Sequence, residues 1–289
     1  MNRKKLKKLY EEYDYESIYD KQIKSLEEYE NLRLNSEYVY VIKTIKAGSM
    51  VEKELYCIPK GRDYKRSMKK RKSSKAQEKL NKKNKIKNTI RLVNANFKQG
   101  DLYITLTYKK ATLVNEDRAK KDIDNYIKKL KRWFKKNRPN EEFKYIHVID
   151  FVDDPKKSKR TRIHHHLIVS EMDRDVAEEK WDLGVVNAKR LQPNEFQFEE
   201  VATYMAAQAK RRIGHSKNLK KPTITIDSTS LTRRKVERLA IEEYSHKEFF
   251  EKKNKNYKFL KSDTYISDDF GGVYIYAKMS RKENGREWR

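Results

Sequence analysis

The alternation of apolar and polar positions changes character along the chain, and the most regular stretch begins at residue 101. DLYITLTY (101–108) has the alternating character of a β-strand. Over 116–136, Ala119, Ile123, Ile127, Leu130 and Phe134 recur at helical spacing, with Lys and Arg on the other side and Pro139 beyond. That spacing predicts an amphipathic helix. FKYIHVIDFV (143–152) and RIHHHLIVS (162–170) read as two strands joined by the polar stretch DDPKKSKRT, and the pair is expected to run antiparallel. A short helix at 173–181, a strand at 184–191 and a helix from about 195 to 212 complete a β-α-β-β-α-β-α order. The fold class implied is α+β: an antiparallel sheet of about five strands, helices on one face and the other face free for a site.

The flanks are less regular. Residues 3–34 carry Leu6, Leu9, Tyr10 and Tyr13 at loose helical spacing and predict a solvent-facing helical lead-in. Residues 38–46 and 54–58 are β-rich around Ala47, Gly48 and Ser49 and predict a small hairpin, read as a separate appendage. After Pro222 come a short Thr/Ile strand, a helix near 231–252 and a terminal strand pair around GGVYIYAKM. The expected division is therefore 1–59 (helix and hairpin), 60–98 (basic segment), 99–222 (compact α+β domain) and 223–289 (C-terminal extension).

Charge changes the picture most. A net charge of +27 with a pI near 9.8 makes an anionic partner the first expectation, and nucleic acid is the commonest. Between Lys60 and Arg91 stand 15 Lys or Arg against only Asp63 and Glu78. Such a run is expected to lack the apolar content to fold without an anionic partner, so Lys69, Lys70, Arg71 and Lys72 become candidate phosphate contacts. No apolar run approaches the roughly 20 residues that span a bilayer, and the charged MNRKKLKKLY has no apolar stretch behind it, so export is not expected. The single cysteine, Cys57, can form no internal disulfide. A cytoplasmic protein with no membrane partner is expected.

Three of the six histidines stand in one predicted strand, where alternate side chains point to opposite faces. His164 and His166 share a face; His165 points the other way, toward the predicted core. An isolated His-x-His is often only a polar surface pair. Here Asp150 lies in the neighbouring strand among Ile146, Val148, Ile149 and Phe151, and a carboxylate in such company needs a partner. Two imidazoles and one carboxylate suit a divalent ion; they also suit a non-haem iron centre, although so basic a chain favours Mg²⁺ or Mn²⁺ on a phosphodiester. Asp153 and Asp154 fall in the connecting turn, and His147, of opposite parity to Asp150, reads as structural. In EEVATYMAAQAKRR (199–212), Tyr204, Gln208 and Arg211 form an i, i+4, i+7 stripe of phenol, amide and guanidinium. Lys210 and Arg212 flank it as further candidate DNA contacts.

This ordered set resembles the HUH endonucleases, and within them the rolling-circle replication initiators of plasmids, phages and integrative elements of Gram-positive bacteria. The motifs that carry the resemblance are the apolar-Thr strand at 101–108, His164-His165-His166 and the tyrosine helix at Tyr204. The flanking phrases Asn96–Asp101 and Ser216–Pro222 agree with it, and the likeness covers roughly residues 60–225. It implies an HUH, RRM-like palm, a divalent metal held by His164, His166 and Asp150, and Tyr204 as nucleophile. It also implies a 5′-phosphotyrosyl intermediate, single-stranded and origin DNA as substrate, and a recruited host helicase and polymerase. The chain departs from the family in three places. Asp150 stands where Glu is commoner, His165 replaces a hydrophobe, and Gln208, with Ala207 before it, stands where many relatives carry a second tyrosine preceded by a lysine. A single-tyrosine enzyme is implied. A relaxase or transposase, or a basic binding protein without catalysis, are the competing readings; relaxases usually place the nucleophile before the histidine motif.

Overall fold

A computed structural model describes residues 21–22, 38–59, 75–109, 114–150, 163–209, 213–267 and 272–282. In chain order the elements are β1 (Lys21–Gln22), β2 (Tyr38–Ala47), β3 (Met50–Pro59), α1 (Lys75–Asn96), β4 (Leu102–Tyr108) and α2 (Glu116–Asn137). There follow β5 (Tyr145–Asp150), β6 (His164–Val169), α3 (Arg174–Glu179), β7 (Gly184–Arg190), α4 (Glu199–Gln208) and β8 (Gly214–His215). The last are β9 (Thr223–Asp227), α5 (Arg233–Ile241), α6 (Ser245–Lys253), β10 (Tyr257–Ser267) and β11 (Gly272–Arg281). The chain divides into two compact units, 85–221 and 1–84 with 222–289, the boundary falling within α1. No helix among the described residues is long and apolar enough to cross a membrane.

The 85–221 unit is α+β, built on a five-stranded antiparallel sheet in the order β7-β4-β6-β5-β8. Alternation in β4 sends Leu102, Ile104, Leu106 and Tyr108 to one face, where they meet Leu167 and Val169 of β6. α2 covers that face with Ile123, Tyr126, Ile127, Leu130 and Phe134. Each such side chain, removed from water, contributes roughly 1.5–3 kcal/mol. α2 begins where Asn115 accepts the Arg118 N–H, and Glu116 and Asp117 suit the positive end of its dipole.

The second face is partly covered as well. Ile90 and Val93 of α1, with Phe97 just beyond it, pack with Ala202 and Met205 of α4 on Ile146, Val148 and Ile168. This corrects the reading of the basic run as unable to fold alone. Its Lys60–Ser74 part lies outside the described residues, but from Lys75 the chain is a 22-residue helix. The reason is Ile86, Ile90 and Val93 at i, i+4 and i+7, an apolar stripe interleaved with the lysines that supplies the burial the charges cannot. The two flanking phrases meet at its end. Asn96 Nδ2 donates to the Lys220 carbonyl at 2.8 Å and Asn96 Oδ1 accepts from the Lys220 N–H at 2.7 Å. Asp101, whose pKa burial raises, accepts the N–H groups of Lys98 and Glu171 at 2.8 Å each. At the start of β7, only glycine fits at position 184, because a Cβ there would lie 1.8 Å from the Thr107 carbonyl oxygen.

The other unit carries a six-stranded antiparallel sheet, β1-β10-β11-β3-β2-β9. The β2–β3 hairpin is not an appendage: β3 pairs with β11 and β2 with β9, so strands from both ends of the chain share one sheet. Tyr40, Ile42, Val51, Leu55, Ile275 and Met279 bury one face against Val236 and Leu239 of α5 and Phe250 of α6. The helix expected over 231–252 is two helices. It breaks after Ile241, and the break lets the buried His246 bond the Leu239 carbonyl at 2.6 Å and Ser262 at 2.8 Å. Within the predicted helical lead-in, Lys21–Gln22 is a strand paired to Tyr265 and Ile266; the rest of that lead-in lies outside the described residues.

Candidate active site

Strand register brings the predicted ligands together. His164 pairs with Asp150 on β5 and Thr107 on β4; His166 pairs with Val148 and Thr105. Directly paired residues hold their Cβ atoms about 4.5–5.5 Å apart on the same face. His164, His166, Asp150, Thr105, Thr107 and Tyr103 therefore line one face, opposite α2. His165 lies on the other side, fully buried, with its Nε2 at 3.1 Å from the Tyr108 hydroxyl. Burial first, then the charges of His147, His166 and His164, push its pKa down to about 3, so it packs as a neutral ring.

The β4 hydroxyls are the part of the site that the sequence reading missed. Thr107 Oγ1 lies 3.0 Å from His164 Nδ1, and Tyr103 Oη and Thr105 Oγ1 lie 2.9 and 3.3 Å from His166 Nδ1. With each Nδ1–H donating to these oxygens, each Nε2 keeps its lone pair available to accept. The signal was available: strict alternation in DLYITLTY puts Tyr103, Thr105 and Thr107 on the face of the two histidines. Burial, opposed by Asp150 and reinforced by His164, lowers the pKa of His166. Burial raises that of Tyr103 to about 12.

α4 delivers the tyrosine. Ala202, Met205 and Ala206 bury one side of this helix, which turns Tyr204 outward at 49% exposure. Its ring stands edge-on to His166, with centroids 5.3 Å apart and planes at 83°. The helix was expected to run to 212. It ends at Gln208 because Ala209 leaves helical geometry at ψ 96°, where its carbonyl accepts from Lys85 Nζ. Gln208 is half-buried one turn beyond Tyr204 and makes no side-chain bond to the histidines. Lys210, Arg211, Arg212, Lys69, Lys70, Arg71 and Lys72 lie outside the described residues, as do Asp153 and Asp154.

Among the described residues no group of three or more His, Cys, Asp or Glu side chains is gathered tightly enough to hold a metal ion. Register, which backbone hydrogen bonds fix, nonetheless sets Asp150 and the histidines on adjacent rungs; side-chain torsions are what a bound cation organises. Asp150 Oδ1 is buried with no hydrogen-bond partner. A buried carboxylate oxygen with nothing to accept from is costly, and a cation would relieve it. The two Nε2 lone pairs and that oxygen are a donor set whose chemistry fits a divalent ion.

Residues 101–211 match the family model of the replication-associated protein ORF2. The match is shorter than half of the chain, but it runs from the start of β4 past the end of α4 and so contains every candidate ligand and Tyr204. It supports a protein of the rolling-circle replication initiator kind. No curated protein and no solved structure matches the chain.

Proposed function

We propose that the chain is a single-tyrosine, metal-dependent HUH endonuclease that nicks single-stranded origin DNA to start rolling-circle replication. The observation that carries this reading is the half-exposed Tyr204 ring set edge-on to His166, on the face where register gathers His164, His166 and Asp150. Its place within the replication-associated match agrees.

In this reading His164 Nε2, His166 Nε2 and Asp150 Oδ1 hold Mg²⁺ or Mn²⁺, which when bound supplies Lewis-acid polarisation of the scissile phosphate. Thr107, Thr105 and Tyr103 hold the two imidazoles in the tautomer that leaves Nε2 free. The Tyr204 oxygen loses its proton and attacks phosphorus. An O–P bond forms to the tyrosine, the P–O3′ bond breaks, and the departing oxygen takes a proton to become a 3′-hydroxyl. The product is a 5′-phosphotyrosyl link. Because a phenolate leaves more readily than a sugar alkoxide, a later 3′-hydroxyl can displace it and reseal the strand. Gln208, Lys210, Arg211 and Arg212 grip phosphates beside the nick, and Lys69, Lys70, Arg71 and Lys72 hold the surrounding origin. A host helicase unwinds the duplex and a host polymerase extends the freed 3′ end.

The test uses a single-stranded oligonucleotide carrying the origin, incubated with Mn²⁺. A covalent protein–DNA adduct is expected, and EDTA or Tyr204→Phe should abolish it. An adduct that survives Tyr204→Phe places the nucleophile elsewhere. No adduct on any strand tested leaves a basic DNA-binding protein.

A further inference from the structure

The outer face of α2 carries a charge pattern that folding does not explain. In its first half both signs are interspersed and three ion pairs lie within the helix: Glu116 with Lys120 at 2.9 Å, Arg118 with Asp122 at 2.9 Å, and Asp117 with Lys120 at 3.6 Å. From Lys128 to Lys136 the sequence is KKLKRWFKK, with no carboxylate. Lys129 turns to Asp182 at 3.3 Å. Lys128, Lys131, Arg132, Lys135 and Lys136 are exposed, and among the described residues none of them makes an ion pair. Their i, i+3, i+4, i+7, i+8 spacing gathers them on one stripe, about 12 Å long at 1.5 Å per residue. Leu130 and Phe134 hold the opposite side of the helix in the core.

Such a stripe costs local stability. The like-charged i, i+4 pairs 128/132, 131/135 and 132/136 each oppose the helix by a few tenths of a kcal/mol. The helix dipole offsets only Lys135 and Lys136, in the last turn. A surface that served solubility alone would intersperse both signs. An external polyanion would supply the counter-charge the fold omits.

We propose that this stripe is a second DNA contact, gripping the phosphate backbone of a duplex on the side of the five-stranded sheet opposite the histidines. A duplex presents one charge per ~1.7 Å of axis, about seven phosphates along the stripe, enough for five cations carried on one helix. Single strands are instead bound on exposed aromatic platforms. The stripe has none: Tyr126 and Phe134 are buried and Trp133 packs against the core, whereas the histidine face offers the exposed Tyr204. The strand to be cut and the duplex beside it are thus taken by opposite faces of one sheet. The inference extends the nicking reading, but needs from it only that DNA is the partner.

The experiment compares full-length protein with a variant carrying Lys128→Gln, Lys131→Gln, Arg132→Gln, Lys135→Gln and Lys136→Gln. Glutamine keeps helix propensity, and circular dichroism checks the fold. Binding to a blunt 30-base-pair duplex of unrelated sequence is titrated with salt in EDTA. At about 0.9 per phosphate contact, the slope of log K against log salt should be shallower by about 3–5 in the variant, with affinity at low salt at least ~10-fold weaker. Adduct formation on the single-stranded origin oligonucleotide in Mn²⁺ should match that of the unsubstituted protein. An unchanged slope overturns the proposal. So does an equal loss on oligo-dT, or a loss confined to phosphatidylserine vesicles. Failure of both proteins to form an adduct would sink the nicking reading while leaving the duplex result intact.

Discussion

Tyr108→Phe probes the polar chain that underlies the candidate site. The Tyr108 hydroxyl donates to Asp122 Oδ2 at 3.1 Å and lies 3.1 Å from His165 Nε2, while Arg118 Nε donates to Asp122 Oδ1 at 2.9 Å. His165 is fully buried and Asp122 is 7% exposed, so water cannot replace the lost oxygen. Phenylalanine keeps the ring that packs edge-on to Trp181 at 5.3 Å, which confines the change to the hydroxyl. Two buried polar groups then lose a partner, at about 1–3 kcal/mol each. Asp122 keeps Arg118, so the low end applies to it, and a total loss of about 2–4 kcal/mol is expected. The assay is urea unfolding followed by tryptophan fluorescence, read on the transition that Trp181 reports. Adding His165→Leu should recover part of the loss, because it removes one of the stranded groups. A loss below about 0.5 kcal/mol, or no recovery in the double variant, refutes the reasoning.

Asp150→Asn should leave the metal-free protein as stable as before, or up to about 1 kcal/mol more stable, since Asp150 Oδ1 has no partner to lose. It should abolish the Mn²⁺-dependent adduct; clear destabilisation with activity retained would make Asp150 structural. Gly184→Ala should weaken the 85–221 unit by several kcal/mol, because its Cβ would lie 1.8 Å from the Thr107 oxygen and push β7 off β4; unchanged unfolding would contradict that. Burial holds His165 near 3, so between the usual imidazole pKa and that value the unfolded chain binds a proton that the folded one refuses. Its contribution should be fully present above about pH 6.5 and be lost as pH falls toward 3. Stability measured against pH should flatten in His165→Leu, and an identical profile in both proteins would refute the assignment.

Much of the 85–221 unit was legible in the sequence because its pattern is periodic and its contacts are local. Alternation in 101–108 and 143–170 defined the strands, spacing over 116–136 defined α2, and parity alone separated His164 and His166 from His165. α1 was missed because its lysine content hid three apolar residues at helical spacing. The hairpin at 38–59 was separated from the C-terminal strands because nothing local records that β3 pairs with β11, near the other end of the chain. Helix ends at Gln208 and Ile241 also escaped, since each is set by a contact with a distant or newly turned residue, Lys85 at Ala209 and His246 at Leu239.

By itself, then, the sequence determined which face each strand residue takes, because side-chain parity is a property of the backbone. Only the tertiary structure decided what those side chains meet. Register across β4, β6 and β5 set Thr107 and Asp150 beside His164, and the packing of α4 turned Tyr204 against His166. Pairing between strands far apart in the chain is settled by hydrogen-bond register and core burial, which no single segment encodes.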